Sequence, residues 1–190
     1  AIQPDGKIVL AGGAGYPQEK FALARFTANG SVDTGFGKQG KVLTDFGPVS
    51  DRALTVAIAP DGKIVVGGYY NGRQTGDLIW SDSALARYNP DGSLDDSFGK
   101  RGKVMTIAGN YVDEIHDLAI QSDGKIVVAA YTGAYEEGES LDFSVMRFLD
   151  SGDLDSGFGK GGRVITDLGA EDGANAIALQ NDGKILLAGG

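Results

Sequence analysis

The sequence predicts an all-β chain of β-propeller-type blades, each built from four antiparallel strands in a repeat of about 60 residues. Two observations carry this reading. Three phrases recur in register along the whole chain, and the 31 glycines among 190 residues, with only 5 prolines and no G-X-Y period, mark many tight turns between short strands. A β-sandwich could supply similar strands, but it has no reason to repeat its turns in register.

The first phrase, Pro4-Asp5-Gly6-Lys7-Ile8-Val9, returns at Pro60-Asp61-Gly62-Lys63-Ile64-Val65, Ser122-Asp123-Gly124-Lys125-Ile126-Val127 and Asn181-Asp182-Gly183-Lys184-Ile185-Leu186. Its aspartates are spaced by 56, 62 and 59 residues. The second phrase is Ala22-Leu23-Ala24-Arg25-Phe26, matched by Ala84-Leu85-Ala86-Arg87-Tyr88 and Ser144-Val145-Met146-Arg147-Phe148. The third runs from Ser31 to Gly37, from Ser93 to Gly99 and from Asp153 to Gly159.

Each period holds four β-like segments, A to D in chain order. In the second copy they span residues 53 to 59, 63 to 70, 84 to 88 and 103 to 108, all short, rich in β-branched or aromatic residues and bounded by Gly or Asp. The A to B link is an Asp-Gly turn in which glycine supplies a positive φ. Blade units fall at about 1–52, 53–113 and 114–173, with the start of a fourth at 174–190. Closed propellers use about 4 to 8 blades, so the partners expected first are the remaining blades of a longer chain or a symmetric homo-oligomer.

Charge and composition narrow the function classes. A net charge of −9 argues against nucleic acid, whose phosphates call for clustered Lys and Arg. No apolar run reaches the roughly 20 residues of a membrane-spanning helix, so no membrane insertion is expected. With no cysteine and one histidine, His116, thiolate chemistry is excluded and a zinc site would have to lean on carboxylates. No G-x-S-x-G elbow or S-x-x-K box occurs. No cofactor and no metal is expected.

The phrases Ala1-Ile2-Gln3-Pro4-Asp5-Gly6-Lys7-Ile8-Val9, Phe21-Ala22-Leu23-Ala24-Arg25-Phe26 and Asn89-Pro90-Asp91-Gly92-Ser93-Leu94-Asp95-Asp96-Ser97-Phe98-Gly99 give the chain a further likeness. It resembles the delta-60 repeat, a bacterial β-propeller repeat family of unassigned function. The resemblance covers essentially the whole chain. It implies large bacterial proteins that are secreted or attached to the cell surface, and no catalytic residues to carry over. The third copy departs from the pattern at Ser122 and at Leu149-Asp150-Ser151-Gly152.

Four groups of residues compete for a functional role. Arg25, Arg87 and Arg147 are each followed eight residues later by Asp33, Asp95 and Asp155. A recurrence in every copy favours an Arg to carboxylate pair that pins the C to D link over an anion-binding ring of arginines. Asn89, Asp91, Ser93 and Asp95 alternate like early calcium ligands, but the other copies do not keep oxygen ligands there, which favours a turn; Asn29-Gly30-Ser31 is likewise read as a hairpin turn rather than a glycosylation site. His116 stands among Asp113, Glu114 and Asp117, a setting that could tune a base but lacks a companion nucleophile.

The fourth group is the variable B to C links, 14–20, 69–82 and 131–142, which strand parity places at one end of the blades together with the D to A links. They carry Tyr16, Tyr69, Tyr70, Trp80, Tyr131 and Tyr135 beside Asp77, Asp82, Glu136, Glu137 and Glu139. Variable loops on a rigid scaffold are where binding usually resides. The expectation is therefore a non-enzymatic binding or scaffolding module that meets a protein or glycan through Tyr69, Tyr70, Trp80, Tyr131 and Tyr135. The alternative is a propeller enzyme of the metal-dependent hydrolase or lactonase type, built on clustered carboxylates and His116.

Overall fold

The computed structural model describes residues 1–75, 78–106, 112–133, 141–169 and 172–190. These residues form thirteen strands and no helix, in four antiparallel sheets. The first sheet holds β1 (Ile8–Ala14), β2 (Lys20–Phe26) and β3 (Lys41–Thr44), and an isolated Ile2 to Ile8 bridge stands where the A strand ends. The second is β4 (Asp51–Ile58), β5 (Ile64–Thr75), β6 (Leu78–Tyr88) and β7 (Lys103–Thr106). The third is β8 (Val112–Ile120), β9 (Ile126–Gly133), β10 (Leu141–Phe148) and β11 (Arg163–Thr166), and the fourth pairs β12 (Ala174–Leu179) with β13 (Ile185–Gly189). Strands run A-B-C-D across each full sheet, as blades do.

The Asp-Gly turns set the hairpins. In the second copy Ala59 N–H donates to Lys63 O at 2.8 Å, Gly62 N–H donates to Ala59 O at 2.9 Å, and Asp61 Oδ1 accepts from Lys63 N–H at 3.1 Å. Gly62 holds φ +85°, a left-handed conformation that closes the turn and costs a residue with a Cβ about 1 kcal/mol or more.

The sheets pack face to face, and their A strands converge: β4 packs against β8, and β8 against β12. One apolar core fills the seam between the first and second sheets with Val9, Phe21, Leu23, Phe36, Ile64, Val66 and Tyr88. Another fills the next seam with Val65, Leu85, Phe98, Ile115, Val128, Met146 and Phe148. Alternate residues of one strand therefore serve different seams, Val65 facing forward and Val66 backward, as a period of two requires.

Strand limits depart from expectation at one place. The B to C connection of the second copy is mostly strand: β5 continues past Tyr70 to Thr75 and β6 begins at Leu78, with a bulge between Asn71 and Arg73. Pairing continues past that bulge, with Arg73 opposite Trp80, Gln74 opposite Ile79 and Thr75 opposite Leu78. The D strand of the second copy is described from Lys103 to Thr106. Residues 107–111 lie outside the described residues.

Candidate functional site at the loop end of the blades

The two ends of the blades are built differently. At the turn end every copy carries the same clamp, in which Arg25 Nε bonds Asp33 Oδ2 at 2.9 Å, Arg87 Nε bonds Asp95 Oδ2 at 2.7 Å and Arg147 Nε bonds Asp155 Oδ2 at 2.9 Å. The expected pairs are present in all three copies. Each guanidinium also lies over the next phenylalanine, 4.4 Å from the Phe36 centroid, 4.7 Å from Phe98 and 4.5 Å from Phe158.

The seams add contacts that the pairing in sequence does not show. Arg25 Nη1 donates to Pro90 O, and Arg87 Nη1 donates to Asp150 O at 2.7 Å and pairs with its Oδ1 at 2.5 Å. Gly37 N–H donates to Asp91 O at 2.8 Å, and Gly99 N–H to Ser151 O at 2.7 Å. The C to D links of the first two copies are thus fastened to the next sheet. Burial alone would raise the Asp95 carboxyl, but hydrogen bonds from Ser97, Lys63 and Arg87 reverse this and hold it well below the usual carboxylate range.

The residues that alternate like calcium ligands bond within their own turn, as the turn reading expects. Asp91 Oδ1 accepts from Ser93 N–H at 2.9 Å and from Ser93 Oγ at 2.7 Å, while Asn89 Nδ2 donates to Ser93 Oγ at 3.0 Å. Asp95 is held by the clamp. Among the described residues no group of three or more His, Asp or Glu side chains is placed to hold a metal ion.

The loop end keeps positions and changes residues. Arg52 and Tyr69 are paired across β4 and β5, and the equivalent pair in the third sheet is Glu114 with Tyr131. Glu114 bridges two sheets: Oε1 accepts from Ser81 Oγ at 2.5 Å and Oε2 accepts from the Tyr131 hydroxyl at 2.7 Å. Burial would raise its pKa, but His116 together with these two hydroxyls brings the carboxyl below its ordinary value. In the neighbouring seam the Tyr69 phenol is pushed up, first by burial and then by the negative charge of Glu114.

His116 sits at a β-bulge, the register stepping between Ile115 and Asp117, and the same step recurs between Ala53 and Thr55 and between Ala174 and Ala176. The bulged residues are Leu54, His116 and Asn175. The His116 ring lies 4.5 Å from the Tyr131 ring, and its Nε2 is 3.8 Å from Glu114 Oε2. Next to it, Asp117 ties three A strands, accepting from Thr55 Oγ1 at 3.0 Å and from Ile177 N–H at 3.0 Å. A hydrolytic triad needs imidazole between hydroxyl and carboxylate. Here the carboxylate of Glu114 takes the Ser81 hydroxyl directly.

The expected aromatic residues separate by burial. Tyr69, Trp80 and Tyr131 are half-buried strand residues at the loop end. Tyr70 is only 6% exposed and belongs to the core, its ring stacked 6.4 Å from Phe46. Strand alternation explains the split, because Tyr69 and Tyr70 must point to opposite faces. Tyr135 lies outside the described residues. Ser81 was not singled out by its sequence, although the 62-residue offset that aligns Tyr69 with Tyr131 also aligns Glu19 with Ser81 and Arg52 with Glu114.

Comparison with curated proteins gives no match. A family model described as a domain of unknown function (DUF5122) beta-propeller matches residues 3–36, 59–98 and 121–158, the three stretches that run from the Asp-Gly turn through the Phe-Gly turn. With the sheets, the clamps and this match in agreement, the chain belongs to the DUF5122 β-propeller family.

Proposed function

We propose that this chain is a non-enzymatic binding or scaffolding module that meets a protein or glycan partner through the loop end of its blades. The observation that carries the reading is the contrast between ends: the turn end repeats one clamp, whereas equivalent loop-end positions hold Arg52 and Glu114, Glu19 and Ser81, Leu54 and His116. Changes at fixed positions on a rigid sheet alter recognition without altering the fold. Half-buried Tyr69, Trp80 and Tyr131 supply aromatic area there. A closed ring then draws its other blades from a longer chain or from further copies of this one. The resemblance to the delta-60 repeat supports a bacterial, secreted or cell-surface setting.

Pull-down and glycan-array screening identifies the partner, after which Trp80→Ala and Tyr135→Ala are expected to weaken binding with little change in melting temperature. Substitutions on the outer surface of the Asp61 and Asp123 turns should leave affinity intact. Loss of binding in the turn variants with retention in the aromatic variants would overturn the reading.

A further inference from the structure

The D to A link that leads into β4 is held by one buried carboxylate. Asp51 is fully buried, its Oδ2 accepts the Phe46 N–H at 2.7 Å, and its own N–H donates to Glu19 O at 2.9 Å. Its Oδ1 is buried and has no hydrogen-bond partner among the described residues. Phe46, which this bond positions, packs 4.6 Å from Phe21 in the first sheet and stacks on Tyr70 in the second. One side chain therefore fixes an aromatic wedge in the seam at the loop end.

The equivalent residue in the third sheet, Asp113, has a cation. Arg163 Nη1 lies 3.2 Å from Asp113 Oδ1. At the position of Arg163 the second sheet has Lys103, whose ammonium donates instead to Asp45 O at 2.9 Å and sits 5.5 Å from the Phe46 centroid. The other charged groups near Asp51 offer little relief. Lys20 from β2 pairs with Asp45 at 2.5 Å, the Asp45 charge itself opposes ionisation of Asp51, and Asp82, which faces Tyr70 across β6, has interactions of its own.

We propose that Asp51 is a pH-responsive latch on the 45–50 link, closed while its carboxyl is protonated and loosened when the proton passes to solvent. A buried carboxylic acid is neutral, whereas a buried anion without a counter-charge is costly. Burial is the leading cause that pushes the Asp51 carboxyl up to about 6, outweighing the Phe46 and Gly47 N–H groups and Lys20, which act to lower it. The folded group thus keeps its proton where the unfolded one has lost it. Its stabilising contribution is complete below about pH 4 and declines as pH rises to about 6. The latch lies beside Tyr70 and one strand position from the Arg52 and Tyr69 pair, so its release would reach the proposed binding face.

Amide hydrogen exchange of Phe46 in the whole chain, corrected for the intrinsic pH dependence of exchange, reads the latch directly. Protection is expected to fall severalfold as pH rises from about 4 to about 7 and to be flat in Asp51→Asn. No fall in the wild type, or the same fall in Asp51→Asn, overturns the proposal. Should Asp51→Asn fail to fold, Lys103→Arg carries the test by supplying the guanidinium that Asp113 has; a flattened profile supports the latch and an unchanged one overturns it.

Discussion

The same clamp appears inside a seam and outside one, and the difference measures what the next blade contributes. Arg87 reaches Asp150 of the third sheet and its side chain is 3% exposed, while Arg147 makes the same bond to its own aspartate but is 21% exposed. Phe98 is fully buried, and its counterpart Phe158 is half-buried. The adjoining turns differ in the same way. A Cβ on Gly92 would come within 2.9 Å of the Phe36 ring, whereas one on Gly30 would meet nothing within 4 Å. The local chemistry is one motif, but its energetic weight is set by the neighbour.

The largest effect is expected at the clamp. Arg87→Ala leaves the buried Asp95 with Lys63, 3.0 Å away, as its remaining cation and strips a C to D link of its anchor, and should cost about 3 kcal/mol in denaturant unfolding. Arg147→Ala should cost about 1 kcal/mol, since water screens the partner that remains. Equal losses would mean that the seam adds nothing. A double-mutant cycle on Arg87 and Asp95 should show the double variant costing less than the two singles together, because the second removal relieves the stranded charge.

The turn glycines sharpen the comparison at a smaller scale. Gly30 and Gly92 share a left-handed backbone, φ +84° and +90°, so alanine at either position bears the same conformational cost of about 1 kcal/mol. Gly92→Ala must also displace Phe36 or the Gly37 backbone and is expected to lose roughly 1 to 2 kcal/mol more. Thermal melts of the two variants give this difference directly.

Acid should discriminate less strongly. The Asp95 carboxyl is held below its ordinary range, so its contribution is present above about pH 4 and lost as pH falls further. Asp95→Asn should therefore flatten the loss of stability on acidification below about pH 4 relative to the wild type. The smallest effects on stability belong to the loop end. Trp80→Ala and Tyr131→Phe are expected to change unfolding free energy by about 1 kcal/mol or less, because both residues are only half-buried. A larger loss at Trp80 would assign it to the fold rather than to binding.

What the sequence determined by itself is local or periodic. The recurrence of Asp-Gly turns and Ala-Leu-Ala-Arg strands is enough to give the strand order, the antiparallel pairing and the assignment of links to two ends, since turn chemistry and a period of two act within a few residues. The eight-residue spacing of Arg87 and Asp95 likewise made their pair legible, because both partners belong to one blade. Tertiary structure alone decided the contacts between sheets. Arg87 meets Asp150 from 63 residues away, Glu114 takes the Ser81 hydroxyl from 33 away, and Tyr70 turns into a core that Tyr69 faces away from. The extension of β5 to Thr75 was also beyond the pattern, because propensity alone does not fix where a hairpin stops pairing. Seams join residues half a repeat or a full repeat apart, so only the packed faces reveal which equivalent positions are buried, which are charged, and which, like Asp51 in contrast to its better-partnered counterpart Asp113, lack a cation.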